Sequence, residues 1–275
     1  MCGSDIKEIS VWPYRIVFWS NFWGSVFTLM FLSDERMYDL YRLHATNIIL
    51  QCVWWTFFLT CSCKTPSYVR VSDSDIQEYD RCLNVIGQAV TEDGLPRLCH
   101  TCHIRRPIRS KHCKVQKRCI HKFDHYCPFV YNTVCRDNYR YFVGTIFMYV
   151  VCAVFWEITA AYYVNRVTVT WWFLGFMAYV MIWTFLMCGL LHYHFQLLTV
   201  NLTTNEHIGM TKYAYMRNAQ GMIDNPFQTR YWCTNIYNGL FPSDASYYTR
   251  EELTGELLTE DPASASATVG AGGAV

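Results

Sequence analysis

Residues 167–191, VTVTWWFLGFMAYVMIWTFLMCGLL, contain no charged side chain over a length that exceeds the roughly 20 apolar residues needed to cross a bilayer as a helix. Working outward, three more runs share this character. Ile16–Leu32 and Ala45–Cys63 are uncharged, and Tyr141–Val164 carries one acid, Glu157. The chain is 52% hydrophobic and 17% aromatic with only 16% charged residues, too little polar surface to cover four such helices in a soluble protein. The expectation is an all-α polytopic membrane protein with four transmembrane helices and a cytosolic cysteine-rich domain between the second and third. No small-residue cleavage site follows the first run, which therefore reads as an anchor.

Orientation follows from the basic residues. The segment 62–140 holds 14 of the 23 lysines and arginines, against Arg36 and Arg42 between the first two runs and Arg166 between the last two. The positive-inside rule places this loop in the cytosol, and an even number of crossings then puts both termini there too. In a reducing compartment the 14 cysteines are metal ligands or chemistry before they are disulfides. Within the loop, Ile76, Tyr79, Leu83, Ile86 and Val90 recur at helical steps, so 75–91 reads as an amphipathic helix, with capping-box spacing at Ser74 and Gln77 and an end near Pro96. Next, Cys99-x2-Cys102-x9-His112-x6-Cys119 offers three thiolates and an imidazole, the donor set of one closed structural zinc site. From Arg97 to Lys122 there are nine basic residues and no acid, a stretch suited to phosphates or anionic headgroups. With a pI near 7.5 and no wider basic or aromatic face, nucleic acid is not an expected partner.

Asp124-His125-Tyr126-Cys127 closes the loop. A carboxylate, an imidazole and a thiol within four residues are the parts of an activated sulfur nucleophile, since an unassisted thiol is only a few per cent ionised at neutral pH. No phosphate-binding glycine loop and no dinucleotide fingerprint accompanies them.

Together Cys99-x2-Cys102, Arg106-Pro107-Ile108-Arg109-Ser110-Lys111-His112-Cys113, Cys119, Phe123-Asp124-His125-Tyr126-Cys127-Pro128 and Asn138-Tyr139-Arg140-Tyr141-Phe142 resemble the cysteine-rich domain of the DHHC protein S-acyltransferases, the palmitoyltransferases. The likeness is greatest to the branch that otherwise carries ankyrin repeats, in which Tyr also occurs at the third tetrad position; no such repeats are visible in this sequence. Thr203-Thr204-Asn205-Glu206 resembles the family's Thr-Thr-x-Glu motif, and Asn225-Pro226-Phe227 the start of its C-terminal aromatic element. The resemblance implies two-step acyl transfer from a long-chain acyl-CoA through a Cys127 thioester to cysteine thiols of membrane-associated proteins. His125 takes the Cys127 proton and Asp124 orients His125, while Thr203, Thr204 and Glu206 support the site. Arg105, Arg106 and Arg109, just before the tetrad, are the candidates for the CoA phosphates. Zinc, one ion, and acyl-CoA as co-substrate are the implied cofactors.

The sequence departs from the family at its second zinc site. Cys113 is present, but Gln116, Tyr126 and Thr133 stand where the family carries ligands. These side chains are poor zinc ligands and good hydrogen-bond partners, so polar contacts and aromatic packing are expected to hold this lobe. A makeshift site of Cys113, His121 and Cys135 is the alternative. Two further readings stand beside the enzyme: a catalytically impaired relative acting as a scaffold, and a membrane-anchored zinc protein-binding module. The expected division is 1–63 with the first two spans, 64–140 with the cysteine-rich domain at about 97–140, 141–200 with the last two spans, 201–241 as a C-terminal cytosolic segment, and 242–275 as a disordered tail rich in Ala, Ser and Gly. The family resemblance implies an endomembrane location, Golgi or endoplasmic reticulum.

Overall fold

In the computed structural model, residues 10–32, 41–86, 98–164, 171–218 and 220–242 are described. The segment expected to form a disordered tail lies outside the described residues from 243 onward, as do the last residues, 87–91, of the expected amphipathic helix. Each long apolar run is a helix: α1 (Trp12–Leu32), α2 (Tyr41–Cys63), α4 (Tyr139–Val164) and α5 (Trp171–Thr199). Between them lie α3 (Asp73–Ile86) and six short strands, β1 (Leu98–Cys99), β2 (Ile104–Arg105), β3 (Lys111–Cys113), β4 (Arg118–Ile120), β5 (His125–Cys127) and β6 (Asn132–Val134). After α5 come α6 (Thr204–Gly209), two 3-10 turns and α7 (Trp232–Leu240). Among the described residues three helices, α2, α4 and α5, are long and apolar enough to cross a membrane.

The strands correct the all-α expectation. They pair antiparallel as three hairpins, β1 with β2, β3 with β4 and β5 with β6. Each hairpin turns over four residues, and the last residue of each turn, His103, Lys117 and Tyr131, sits at a φ of 51–52°. Left-handed backbone at non-glycine residues is uncommon and is held here by the closing strand pairs. The three turns recur every 14 residues, and Cys99, Cys113 and Cys127 end the first strand of each hairpin. That repeat escapes sequence inspection because strands of two or three residues are too short to display alternation.

The chain divides into two compact units. One comprises Met1–Arg70 and Lys111–Leu197, the other Val71–Ser110 and Leu198–Val275.

In the first unit α2 and α4 pack antiparallel. Asn47 Nδ2 donates to Thr159 Oγ1 at 3.0 Å, a buried bond between the two helices. Toward the other end, Gly144 lies against the Phe57 ring so closely that a Cβ there would overlap it. Helix α1 joins α2 through Tyr14 stacked on Phe58, and α5 joins α4 through Trp156–Phe176 and Tyr163–Phe173 ring contacts. The hairpins of this unit are tied to the helix ends. Asn132 Nδ2 donates to the carbonyls of Cys61, Ser62 and Lys64 at 2.9, 3.2 and 2.8 Å, taking up carbonyls that the end of α2 leaves without helical partners. Asn138, fully buried before α4, accepts from Cys135 N–H and donates to the Thr133 carbonyl.

In the second unit α3 is capped at Ser72, whose Oγ accepts from Asp75 N–H while Asp75 accepts from Ser72 N–H. The box is two residues earlier than the Ser74 spacing suggests. Thr203 caps α6 in a full capping box with Glu206. The same Glu206 carboxylate, 1% exposed, takes two bonds of 2.7 Å from Arg109 Nε and Nη2. Arg109 also donates to the Asn201 carbonyl at 2.9 Å and lies 4.1 Å over the Phe227 ring. Asn235 and Asn225 donate to the carbonyls of Thr199 and Val200, so the end of α5 is capped by side chains as the end of α2 is.

Two outcomes follow for thermal and denaturant unfolding in detergent. Asn132→Ala strands buried carbonyls and is expected to destabilise the first unit by about 1–3 kcal/mol; an unchanged midpoint would contradict the capping role. Arg109→Ala leaves Glu206 buried without its partner and should cost about 3–5 kcal/mol, far more than removal of an exposed arginine.

Candidate active site

Asp124 and the β5–β6 hairpin are held in register by main-chain bonds, including Asp124 N–H to the Val134 carbonyl at 3.0 Å, with Cys127 opposite Asn132. Because Asn132 also holds the end of α2, the strand that carries Cys127 is fixed to a helix terminus through its pairing partner. The Asp124 carboxylate is buried, and its Oδ2 lies 2.6 Å from His125 Nδ1. That contact leaves Nε2 for the thiol, and His125 makes a side-chain hydrogen bond with Cys127. Burial alone would lower the His125 pKa, but the bonds to Asp124 and Cys127 and the charges of both groups raise it to about 9. The raised value favours the protonated ring, with the Asp124 carboxylate beside it. Cys127 itself is 6% exposed.

Tyr126, between the two, faces Thr133 across the hairpin. Burial, then the charges of Tyr131, Cys113 and Cys127, push its phenol up to about 12, so it stays neutral. Cys113 Sγ lies 3.5 Å from Thr133 Oγ1, and Gln116 accepts from Tyr68 OH at 3.0 Å. Cys135 receives bonds from Ser67 N–H and Oγ, both 3.4 Å, and burial raises its pKa. Cys113, Ile120, Phe123 and Cys135 form one apolar cluster closed by Tyr68 and Val115. Among the described residues, Cys113, His121 and Cys135 are not gathered into a group able to hold a metal.

The metal candidates divide between two hairpins. Cys99 ends β1, and Cys102 lies in the turn that follows. His112 and Cys119 are direct partners across β3–β4, with Cys119 Sγ 4.0 Å from His112 Nδ1. Three thiols and an imidazole make a donor set that can hold a metal ion, and that set fits tetrahedral zinc.

The three arginines separate. Arg109, expected as a CoA-phosphate residue, is corrected: its guanidinium is buried against Glu206, Asn201 and Phe227 and has no face left for a ligand phosphate. Arg105 is half-exposed and pairs with Glu78 at 3.4 Å. Arg106 lies close enough to Tyr213 to act on its phenol electrostatically. Thr203 and Glu206 are placed by their own capping box and by Arg109, and Thr204 begins α6.

One residue of this site escapes the sequence reading. His194, on α5, is 2% exposed, and its ring lies 6.2 Å from that of His125 with Phe142 in contact with both. Nothing in an apolar run distinguishes it from an interfacial histidine, since the contact spans 69 residues of sequence.

The DHHC palmitoyltransferase family matches residues 92–211. Palmitoyltransferase ZDHHC17 of Danio rerio is 35% identical over 152 residues, covering 47% of this chain and 24% of the relative. The Mus musculus protein of the same name is 35% identical over 155 residues, 47% and 23% of the two chains. Palmitoyltransferase Hip14 of Drosophila melanogaster is 26% identical over 232 residues, 78% of this chain and 35% of the relative. The chain thus spans about a quarter to a third of the length of the curated relatives it matches. The segment from residue 92 to residue 211, which includes Asp124, His125 and Cys127, is similar to the DHHC palmitoyltransferase family and to these named palmitoyltransferases.

Proposed function

We propose that the chain is a protein-cysteine S-palmitoyltransferase. The observation that carries this reading is the His125 ring held between the Asp124 carboxylate and the Cys127 thiol. In the first step His125 holds the Cys127 proton and the sulfur attacks the thioester carbon of a long-chain acyl-CoA. The bond from carbon to Cys127 forms as the bond from carbon to CoA sulfur breaks, and CoA leaves with the proton that His125 carried. In the second step the thiol of a membrane-associated protein gives its proton to His125 and takes the acyl group. One thioester replaces another in each step, so no energy source is required. Asp124 keeps the imidazole oriented and stabilises its charged form, as an orienting carboxylate does in other nucleophile–base pairs.

Cys99, Cys102, His112 and Cys119 would hold zinc in a structural role, closing the loop between residues 99 and 119, a segment with little apolar content of its own. The lobe around Cys113 is held without metal by the Tyr68–Gln116, Cys113–Thr133 and Ser67–Cys135 contacts and the Ile120–Phe123 cluster. Arg105 and Arg106 are the basic residues left for the CoA phosphates, since an exposed pair such as Arg105–Glu78 is weak enough to be exchanged for a phosphate. Four helices cross the membrane, α1 among them, with the loop at 64–140, the segment at 201–241 and both termini in the cytosol of an endomembrane. The acyl chain is assigned to the cavity among the spans that Asn21, Gln51, Trp54, Tyr149, Trp156 and Phe176 help to line.

Purified chain incubated with an alkyne-tagged palmitoyl-CoA should form a hydroxylamine-sensitive adduct that Cys127→Ser abolishes. Labelling retained in Cys127→Ser, or absent from the wild type, would overturn the assignment. Metal analysis of the same preparation should give one zinc per chain, and two would refute the metal-free second lobe.

The raised His125 pKa sets a pH window. A folded value of about 9 above the usual 6.5 means that the charged ring stabilises the fold fully below pH 6.5, and that this contribution is lost as pH rises toward 9. The melting-temperature gap between wild type and His125→Ala is therefore expected to be widest near pH 6 and to narrow steadily above pH 7. A gap that widens with pH would contradict the imidazolium.

A further inference from the structure

We propose that His194 is a positioning residue for the acyl-transfer base, setting the tilt of the His125 ring through a layer it forms with Phe142 and Tyr139. The inference rests on the acyl-transfer reading above and adds a residue that the tetrad does not contain. His125 is tethered in the plane of its ring, by Nδ1 to Asp124 and by its bond to Cys127. Two in-plane tethers fix where the ring lies but leave it free to tilt about the axis that joins them. The tilt is decided by what stands beside the ring. Phe142 meets His125 edge-on at 5.2 Å and 74°, and meets His194 in the same way at 5.1 Å and 76°. His194 itself lies 6.2 Å from His125 at an interplanar angle of 34°. The three rings form a closed triangle in which no ring can tilt without displacing another.

The imidazole at 194 is more than filling. A buried polar ring is costly in an apolar helix unless it is hydrogen-bonded, and His194 Nδ1 is 3.1 Å from the Tyr139 hydroxyl. That bond fixes the rotation of the His194 ring. Tyr139 is itself 5% exposed at the first turn of α4, where Asn138 joins the helix to β6. The chain of contacts therefore runs from the strand opposite Cys127, through Asn138 and Tyr139, to His194 and back to the ring that serves Cys127.

The test is single-turnover acylation of the 275-residue chain by tagged palmitoyl-CoA, read as three quantities: the rate constant at saturation, the concentration giving half that rate, and the final fraction of Cys127 labelled. His194→Phe keeps an aromatic ring and loses the Tyr139 bond. Its rate constant should fall about 10–100-fold, the loss expected from misplacing a reacting group by about an ångström. The half-saturating concentration and the labelled fraction should stay within twofold of wild type. Tyr139→Phe, which removes one oxygen and keeps the ring, should reproduce a smaller loss of the same kind, about threefold or more. His194→Asn, which can keep a nitrogen near Nδ1, should recover part of the rate lost by His194→Phe.

Rate constants within twofold of wild type in both His194→Phe and Tyr139→Phe would overturn the proposal. So would a fall in the labelled fraction with an unchanged rate constant, which is the mark of a packing role alone. Absence of the adduct from the wild type would be a failure of the acyl-transfer reading itself, and is seen before any variant is compared.

Discussion

A helix that ends at a membrane face leaves carbonyls with no partner in the next turn, and here those of α2 and α5 are taken by asparagine amides from elsewhere in the chain. For α2 the amide belongs to Asn132, which stands directly across the hairpin from Cys127. A single side chain thus satisfies the end of a helix and fixes the strand that carries Cys127. In the second unit Asn225 and Asn235 do the same for Val200 and Thr199, next to the capping box that positions Glu206 for Arg109. Unsatisfied carbonyls at these depths would be expensive, and the same bonds that prevent that expense give the cysteine-rich hairpins their footing.

The chemistry depends on a second economy of partners. Asp124 and Cys127 are both buried, and His125 bonds to each, with the Asp124 carboxylate set to balance a charge on the ring. The three hairpins repeat at 14-residue intervals, and the position that ends the first strand is cysteine every time. Cys99 is part of the metal donor set, Cys113 meets a threonine, and Cys127 meets His125. One backbone device has three uses, decided by the side chains that face it. Around Cys113, Gln116 and Thr133 make side-chain hydrogen bonds while Ile120 and Phe123 supply an apolar centre.

The long helices were legible because each rests on a run of 17 to 25 residues with at most one charge, a signal that tertiary contacts do not need to supply. The metal donors and the tetrad were legible because their chemistry is written in close spacing. The strands were not, since two or three residues carry no period and their turns fall on His103, Lys117 and Tyr131, where glycine would have marked them. Arg109 reads as one more cation in a basic run. Its burial is decided by Glu206, 97 residues away, and no local pattern announces such a partner. His194 was hidden for the same reason, its neighbours being set by the packing of α4 on α5 and not by anything adjacent in the sequence.

The central claim is that Cys127 carries the acyl group between CoA and a protein thiol, with His125 handling the proton on both sides. Its most direct measurement is a chase: tagged acyl-enzyme is freed of acyl-CoA by gel filtration and then mixed with a membrane-anchored peptide bearing one cysteine. The account predicts that the tag leaves Cys127 and appears on the peptide thiol at the same rate. A tag that remains on the protein, or reaches the peptide only when acyl-CoA is added back, would contradict it.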